Sequence, residues 1–389
     1  MKNVKIALIA VLSVIILGLC VLMGYGISGG FEGGEGYSHH ASWGGVYELV
    51  QEKEFPATGI SSIYIEYKKS GNDVMVYETE GDSIILREYA NYQVKENELA
   101  QLTTQNGRAA FKGPRRRNRF FFGINNQHMY TEIYLPADYS GELNITTVSG
   151  EIQITAELAL DAGLSLSSTS GDICTYAQKV KAEKIHVSST SGEVRLSVLE
   201  TDEVSASTIS GDIRIEKADT NVTCSSTSGN ITVCGGSGDR RLSTTSGNIR
   251  VEGLSGKFSA DTTSGEIQID GEKGYGSTDS TSGNVKLFLE ELSGDFSADT
   301  SSGEVTLSFG ALFGDISVGT TSGDVRLMLP KEVCLDFEAS TTSGEINTFF
   351  DDALSFSKRG NHASGTVGSG EMRQAEIDTS SGEVRVTER

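Results

Sequence analysis

Hydrophobic and polar residues alternate with a period of two over most of the chain beyond residue 140. The second residue after each glycine of a recurring tetrad, Ser-Gly-(Asp/Glu/Asn)-(Ile/Val), is Ile or Val, and the fourth is usually aliphatic. The residues between them are mostly polar, so the pattern predicts a strand with one buried face. The glycines are Gly150, Gly171, Gly192, Gly211, Gly229, Gly247, Gly265, Gly283, Gly303, Gly323, Gly344 and Gly382.

A second strand is predicted before each glycine. The residue seven positions earlier is often large, as at Leu164, Ile185 and Phe258, and the residue five positions earlier is small or apolar. Three positions earlier, every copy has Ser or Thr, from Thr147 to Thr379. Each unit is therefore strand, corner, strand and turn, and it can bury its apolar side only by stacking on its neighbours.

The spacing of the tetrads, mostly 18–21 residues, predicts one coil of a parallel β-helix-type solenoid per repeat. A worn copy at Ser364–Val367 divides the longest gap, which gives about thirteen coils over residues 141–389 and a length of roughly 60 Å. Glycine columns allow close stacking, and Ser and Thr columns should form hydrogen bonds along the solenoid. A β-propeller is disfavoured because a blade needs about 40–45 residues. A sandwich would not repeat one tetrad so regularly.

Residues 46–140 are less regular but rich in predicted strands, such as Ile60–Tyr67 and Met129–Leu135. We expect them to form a strand-rich N-terminal cap that hides an edge of the solenoid. Residues 28–45 read as a Gly-rich linker.

Residues 1–27 are predicted to be a cytoplasmic stub and a single transmembrane anchor. The stretch Ile6–Met23 carries no charge and follows Lys2 and Lys5, which favours a cytoplasmic N-terminus. The alternative is a cleaved signal peptide, since Gly24-Tyr25-Gly26 offers small residues for cleavage. Either way, the bulk of the chain is expected outside the cytoplasm; with the anchor, the protein is a single-pass protein of the cell membrane.

The composition agrees with many tight turns between strands, because 46 Gly accompany only 4 Pro. The net charge of −21 argues against nucleic acid as a partner. Acidic residues outnumber basic ones two to one from Gly141 onward. The acidity therefore belongs to the predicted solenoid.

The residue after each tetrad glycine is usually acidic, as at Asp172 and Glu193, so an acidic column is expected on the outer surface. Several copies place Arg or Lys two residues further on, which favours an interlaced charge ladder over a row of weak calcium sites. His39 and His40 in the linker could hold a metal but are more simply solvated. No cofactor or metal is predicted.

The sequence contains no recognisable catalytic motif, and its acids and bases are spread by the repeat. We therefore predict that the protein is not an enzyme, with a polysaccharide-acting β-helix enzyme as the alternative. Cys174, Cys224, Cys234 and Cys334 are too dispersed for a zinc motif, and they could pair in an oxidising exterior. Cys224 occupies an inward column, which favours a plain core thiol.

One basic and aromatic run interrupts the pattern and is the candidate contact site. Its residues could contact anionic lipid headgroups or cell-wall polyanions, or the acidic solenoid of another copy. A solvated loop with a buried aromatic end is the simpler interpretation. The candidate residues are Lys112, Arg115, Arg116, Arg117, Arg119, Phe120 and Phe121.

Four features of the sequence resemble the bacterial putative-adhesin domain family, a domain of unknown function with β-strand repeats. They are the run Thr131–Pro136, the first copy Val148–Ile152, the serial tetrads, and the ending Gly365–Val386. The resemblance implies a surface-exposed solenoid and, in some relatives, a link to envelope stress. We expect a membrane-anchored adhesin, scaffold or envelope sensor whose partner is a cell-wall polymer or a surface protein, with a self-assembling surface scaffold as a further alternative.

Overall fold

The computed structural model describes residues 46–68, 71–114 and 127–389. This part of the chain consists of β-strands and two short 3-10 helices, Glu96–Glu98 and Asp351–Ala353. The all-β prediction is therefore confirmed.

The predicted anchor and linker, residues 1–45, lie outside the described residues. In the part of the chain that is described, none of the helices has the length and apolar character needed to span a membrane. The residues from Tyr47 to Arg389 form one compact unit.

The strands fall into three groups along the chain. The N-terminal strands are β1 (Glu48–Pro56), β2 (Ser62–Tyr67), β3 (Asp73–Thr79), β4 (Ser83–Ala90), β5 (Gln101–Gln105), β6 (Arg108–Lys112) and β7 (Met129–Pro136). The central strands are β8 (Glu142–Thr147), β9 (Ile152–Ile154), β10 (Leu158–Ala159), β11 (Leu164–Ser167), β12 (Ile173–Thr175), β13 (Val180–Lys181), β14 (Lys184–Ser188), β15 (Val194–Glu200), β16 (Glu203–Ser207), β17 (Ile213–Ala218), β18 (Asn221–Ser225), β19 (Ile231–Cys234), β20 (Arg240–Thr244), β21 (Ile249–Thr262), β22 (Ile267–Ser280), β23 (Val285–Thr300), β24 (Val305–Leu312), β25 (Ile316–Thr320) and β26 (Val325–Leu329). The C-terminal strands are β27 (Leu335–Ser343), β28 (Ile346–Asn347), β29 (Ser355–Phe356), β30 (His362–Val367), β31 (Arg373–Ser381) and β32 (Val384–Glu388).

Successive coils pair as parallel strands, as the repeat predicts. Strands before the glycine corner form a pre-corner ladder in the spatial order β6, β2, β8, β11, β14, β16, β18, β20, β21, β22, β23, β25, β31 and β27. Strands after the corner form a post-corner ladder in the order β7, β3, β9, β12, β15, β17, β19, β21, β22, β23, β24, β26, β32 and β28. The long strands β21, β22 and β23 belong to both ladders because each continues through the turn between coils.

Equivalent positions of the repeat lie beside one another, which explains the invariant Ile or Val after the corner. Ile213, Ile231 and Ile249 are paired in succession and are at most 1% exposed. Such inward-facing side chains form one hydrophobic core that extends from Ile63 to Val386. The alternation along each strand thus encodes a core shared by all coils.

The corners require glycine because successive coils approach each other closely there. A Cβ atom at Gly229 would lie 1.7 Å from the carbonyl oxygen of Gly211. The hydroxyl of Thr244 accepts the N–H of Gly247 at 3.2 Å and donates to the carbonyl oxygen of Gly229, in the preceding coil, at 3.1 Å. Hydrogen bonding along the solenoid is therefore present: at the corners the hydroxyl donates to the glycine backbone, while elsewhere a hydroxyl bonds to a hydroxyl of the next coil, as between Ser188 and Ser167 at 3.2 Å.

Neither the first coil along the described chain nor the last one forms an end of the stack. The coil β2–β3 lies between β6–β7 and β8–β9, and the coil β31–β32 lies between β25–β26 and β27–β28. Antiparallel strands cover the outermost coils: β1, β4 and β5 at one end, and β29 and β30 at the other. Strands of residues 46–140 therefore join the same ladders as the repeats and also cover them.

The worn tetrad at Ser364–Val367 does not form a coil. It belongs to β30, which runs antiparallel to β27, and Gly365 is paired with Phe337 within that ladder. The prediction of a coil there was wrong because a covering strand and a coil strand share the same alternation of polar and apolar residues.

Candidate functional site

Only one of the seven predicted contact residues lies in the described part of the chain. Lys112 is the last residue of β6, and its side chain is exposed. The other six lie outside the described residues: Arg115, Arg116, Arg117, Arg119, Phe120 and Phe121.

The orientation of β6 follows from a tight turn. Asn106 and Gly107 have positive φ angles of 51° and 72° and connect β5 to β6 as an antiparallel hairpin. Asn-Gly is the preferred pair for such turns. Because strand side chains alternate, Phe111 enters the core while Arg108 and Lys112 lie on the outer face.

Arg108 and Lys112 line a shallow depression of about 540 Å³ on this outer face. The Arg108 guanidinium carbon lies 3.4 Å from the centre of the Tyr64 ring, a cation–π contact that orients the charge. The Tyr64 hydroxyl donates to Oε2 of Glu142 at 2.9 Å, which raises the pKa of Tyr64. The full lining is Ser62, Tyr64, Thr103, Gln105, Asn106, Arg108, Ala110 and Lys112.

The charges of this depression are not balanced by ion pairs. Within the described residues, neither Arg108 nor Lys112 forms a salt bridge, and Glu66, next to Lys112 in register, pairs with Lys68 at 3.3 Å. The outer face of β6 is therefore positive at the point where the basic run of the sequence begins. We call Arg108, Lys112 and Tyr64 the basic depression.

The outer faces of β3, β4 and β7 carry a group of tyrosines that the sequence analysis missed. Tyr89 stacks on Tyr130 with ring centres 4.9 Å apart, and Tyr77 stacks on Tyr134 at 5.4 Å. The buried Glu132 lies next to them and accepts the Tyr134 hydroxyl at 2.9 Å. The alternation of Tyr130, Glu132 and Tyr134 on one strand face was the available sequence indication.

These tyrosines remain protonated donors at neutral pH. Burial raises the pKa of Tyr134 to about 12, and Glu132 contributes through a hydrogen bond and its charge. Burial and then the Glu132 charge also raise the pKa of Tyr77 and of Tyr89. The surface therefore combines aromatic rings with neutral hydroxyls around one carboxylate.

A hydrogen-bonded chain of three side chains lies beside the tyrosines. Nε2 of His128 lies 3.0 Å from Oδ2 of Asp73, and Nδ1 of His128 lies 3.1 Å from the Tyr47 hydroxyl. Oδ1 of Asp73 accepts the backbone N–H of Glu151 at 2.7 Å. The chain ties the start of β1 and the residue before β7 to a coil corner, which is a structural role.

A column of carboxylates on the pre-corner ladder was also missed. Asp261, Asp279 and Asp299 occupy the same position in three successive coils, and Asp378 follows beyond Gly319. They line an open groove of about 780 Å³ whose other lining residues are Ser, Thr and Gly. Burial, followed by the neighbouring Asp261, raises the pKa of Asp279.

The acidic side chains that follow the corner glycines have two kinds of partner. The short side chain of Asp172 accepts the N–H of Glu193 in the next coil at 2.8 Å, whereas the longer Glu193 pairs with Arg195 at 2.8 Å. This arrangement supports the interlaced charge ladder. Among the described residues, no group of three or more His, Cys, Asp or Glu side chains is arranged to hold a metal. His39 and His40 lie outside them.

The four cysteines of the solenoid are free thiols. Cys224 is 1% exposed in the core, and burial raises its pKa to about 12. Burial likewise raises the pKa of Cys174 to about 11. The interpretation of Cys224 as a core thiol is confirmed, and neither thiol has the lowered pKa of a nucleophilic cysteine.

The sequence matches the family model described as Toastrack DUF4097 over residues 60–237 and 236–387. No curated protein matches it.

Three solved structures are similar to this chain. A putative cell adhesion protein from Clostridium sporogenes is 9% identical, with a TM-score of 0.19, over 88% of this chain and 100% of that chain. A putative lipid binding protein from Parabacteroides distasonis is 16% identical, with a TM-score of 0.36, over 70% and 96%. A putative adhesin from Bacteroides fragilis is 12% identical, with a TM-score of 0.27, over 70% and 97%.

Proposed function

Since the chain belongs to the Toastrack DUF4097 family, we propose that it is a non-enzymatic, extracytoplasmic solenoid that binds an anionic polymer of the cell envelope. The observation that carries this proposal is the basic depression, where Arg108 and Lys112 lack acidic partners within the described residues. The basic run from Arg115 to Arg119 follows directly in the sequence. Adhesion, scaffolding and envelope sensing would all use such a contact.

The distribution of charge supports a binding role over the alternative of a polysaccharide-acting enzyme. Hydrolysis of a glycosidic bond by paired carboxylates needs one acid and one base in different environments. The aspartates of the groove recur at one position of successive coils, as a repeated structural column does, and the sequence has no recognisable catalytic motif.

We also propose that residues 6–23 anchor the protein in the membrane, because this stretch is apolar and follows two lysines. The full chain should sediment with membranes and resist extraction at high salt, while a chain starting at residue 28 should be soluble. Solubility of the full chain after release of residues 1–26 would instead establish the signal peptide.

Polymer binding is tested with the variant R108Q/K112Q of the chain starting at residue 28. The probe is a soluble poly(glycerol phosphate), with phosphatidylglycerol vesicles as a second arm that separates a lipid from a wall polymer. Each basic residue near an anionic surface contributes about 1 kcal/mol, so the affinity should fall at least about tenfold. Adding R115Q, R116Q, R117Q and R119Q should abolish binding.

The matched control is K184Q/K257Q, which removes the same charge from two exposed lysines on other strands. This variant should bind the polymer like the wild type. Equal binding by the wild type and R108Q/K112Q, or equal losses in both double variants, would contradict a site at the basic depression.

A further inference from the structure

The last coil of the chain fills a slot between two other coils. β31 is paired with β25 on one side and with β27 on the other, and β32 is paired with β26 and β28. Its apolar residues are at most 2% exposed: Ala375, Ile377, Val384 and Val386. Without this coil, the slot would expose two strand edges and part of the core.

The slot is selective for a strand–glycine–strand segment. A Cβ atom at Gly382 would lie 2.1 Å from the carbonyl oxygen of Gly323, and one at Gly344 would lie 2.0 Å from that of Gly382. Oδ1 of Asp315 accepts the N–H of Gln374 at 2.8 Å, which sets the register. An occupant must therefore have glycine at the corner and strands of matching length.

Among the coils of the described residues, β31–β32 is the one that no other described coil follows, so it can leave its place without drawing out coils on both of its sides. It is joined to the preceding strands through residues 368–372, and these residues are all exposed. This segment, Gly-Ser-Gly-Glu-Met, begins with a glycine at a φ of 79°. It has the composition and exposure of a hinge.

We propose that the slot is an interaction surface for the β31–β32 coil of a second copy, so that two chains exchange their last coils reciprocally. The exchanged coil makes the same contacts as the original one, so the dimer loses no ladder pairing. Opening requires only that the outermost coil, β27–β28, moves aside together with the strands that cover it, β29 and β30. This inference does not depend on polymer binding at the basic depression.

The hinge geometry supplies the test. Val367 and Arg373 are both paired with Leu335, on opposite sides, so they lie about two strand spacings, roughly 9.6 Å, apart. Deleting residues 368–370 leaves three peptide steps between Val367 and Arg373. A chain of this length spans at most about 11 Å, which is too short to reach from one side of Leu335 to the other by a path around it. The shortened chain should form a dimer, while a chain with an inserted Gly-Ser-Gly should stay monomeric.

A disulfide reports which chain supplies the coil. In a chain without native cysteines, S317C and E376C stand at paired positions of β25 and β31. On a non-reducing denaturing gel, the shortened-hinge dimer should show an interchain link and the extended-hinge monomer an intrachain link. The control pair S205C and T223C joins two continuous coils and should always link within one chain.

A second measurement tests the exchange even if the shortened chain does not fold. The cross-linkable chain with its natural hinge is refolded at two concentrations a hundredfold apart, and its interchain product should rise at least tenfold at the higher one. Intrachain links at both concentrations, or a shortened-hinge chain that remains a folded monomer, would overturn the exchange.

Discussion

The backbone N–H of Glu383 donates a 2.9 Å hydrogen bond to Oδ1 of Asp324, which lies 59 residues earlier in the chain. Both residues follow a corner glycine, and the same bond joins neighbouring repeats elsewhere, as between Asn248 and Asn230. A contact that spans 18 residues there therefore spans 59 residues at the last coil. The coils form a continuous stack in space, although coils that are neighbours in the stack are not always consecutive in the sequence.

Replacing a corner glycine should be far more destabilising than replacing a glycine of the solenoid that has space around it. In Gly229→Ala the new methyl group would lie 1.7 Å from the carbonyl oxygen of Gly211, so the backbone must move. We expect a loss of about 3 kcal/mol in the free energy of unfolding, measured with urea. Gly163→Ala, whose Cβ would lie 3.6 Å from its nearest neighbour, should stay within about 1 kcal/mol of wild type. Equal effects would refute the steric explanation.

The corner hydroxyl should stabilise the coil through both of its hydrogen bonds. Thr244→Val keeps the shape but leaves the buried N–H of Gly247 and the carbonyl oxygen of Gly229 without this partner. The expected loss is about 1–3 kcal/mol. The neighbouring Thr245 is exposed, so Thr245→Val serves as the control and should have little effect. A neutral Thr244→Val would show that the bonds between coils contribute nothing net.

The carboxylate column should make stability depend on pH. The pKa of Asp279 is raised above its ordinary value of 3.8 by burial and by Asp261. A carboxyl group with a higher pKa in the folded state destabilises the fold as pH rises from that ordinary value through the raised one. Asp279→Asn should therefore be more stable than wild type at pH 7, by about 0.2–1 kcal/mol.

The same comparison below pH 3.8 provides the contrast, because Asp279 is then protonated in both states. The difference between Asp279→Asn and wild type should vanish there. An advantage of the same size at both pH values would mean that packing, rather than charge, separates the two proteins.

The parts of the fold that the sequence predicts are those repeated in every coil. Ile231 and Ile249 predict the core column, and Thr244 predicts the corner, because residues of these types recur at fixed distances from each tetrad glycine. The order of the coils cannot be read in this way. Gly344 and Gly382 have equivalent tetrads, yet Gly382 stacks between Gly323 and Gly344. Only contacts between distant residues determine that order.

The surfaces were harder to predict, for two physical reasons. The tyrosines come from three different strands, so Tyr77 and Tyr134 have no shared spacing to connect them. The column of Asp261 and Asp279 is periodic, but it occupies a position where earlier coils have Ser. The period alone therefore did not identify these aspartates as a distinct surface feature. Lys112 was a candidate from the sequence because a cluster of like charges is visible without any fold.

The placement of the last coil also determines where this protein should be most vulnerable. In most repeat arrays the terminal repeat has one neighbour, so fraying and proteolysis begin at the chain terminus. Here β31 and the first two residues of β32 have strands on both sides, while the outermost coil is formed by β27 and β28, which precede them in the sequence. The weakest point is therefore the segment that forms the outermost coil and its covering strands, and cleavage by an endopeptidase should begin there rather than in the coil β31–β32.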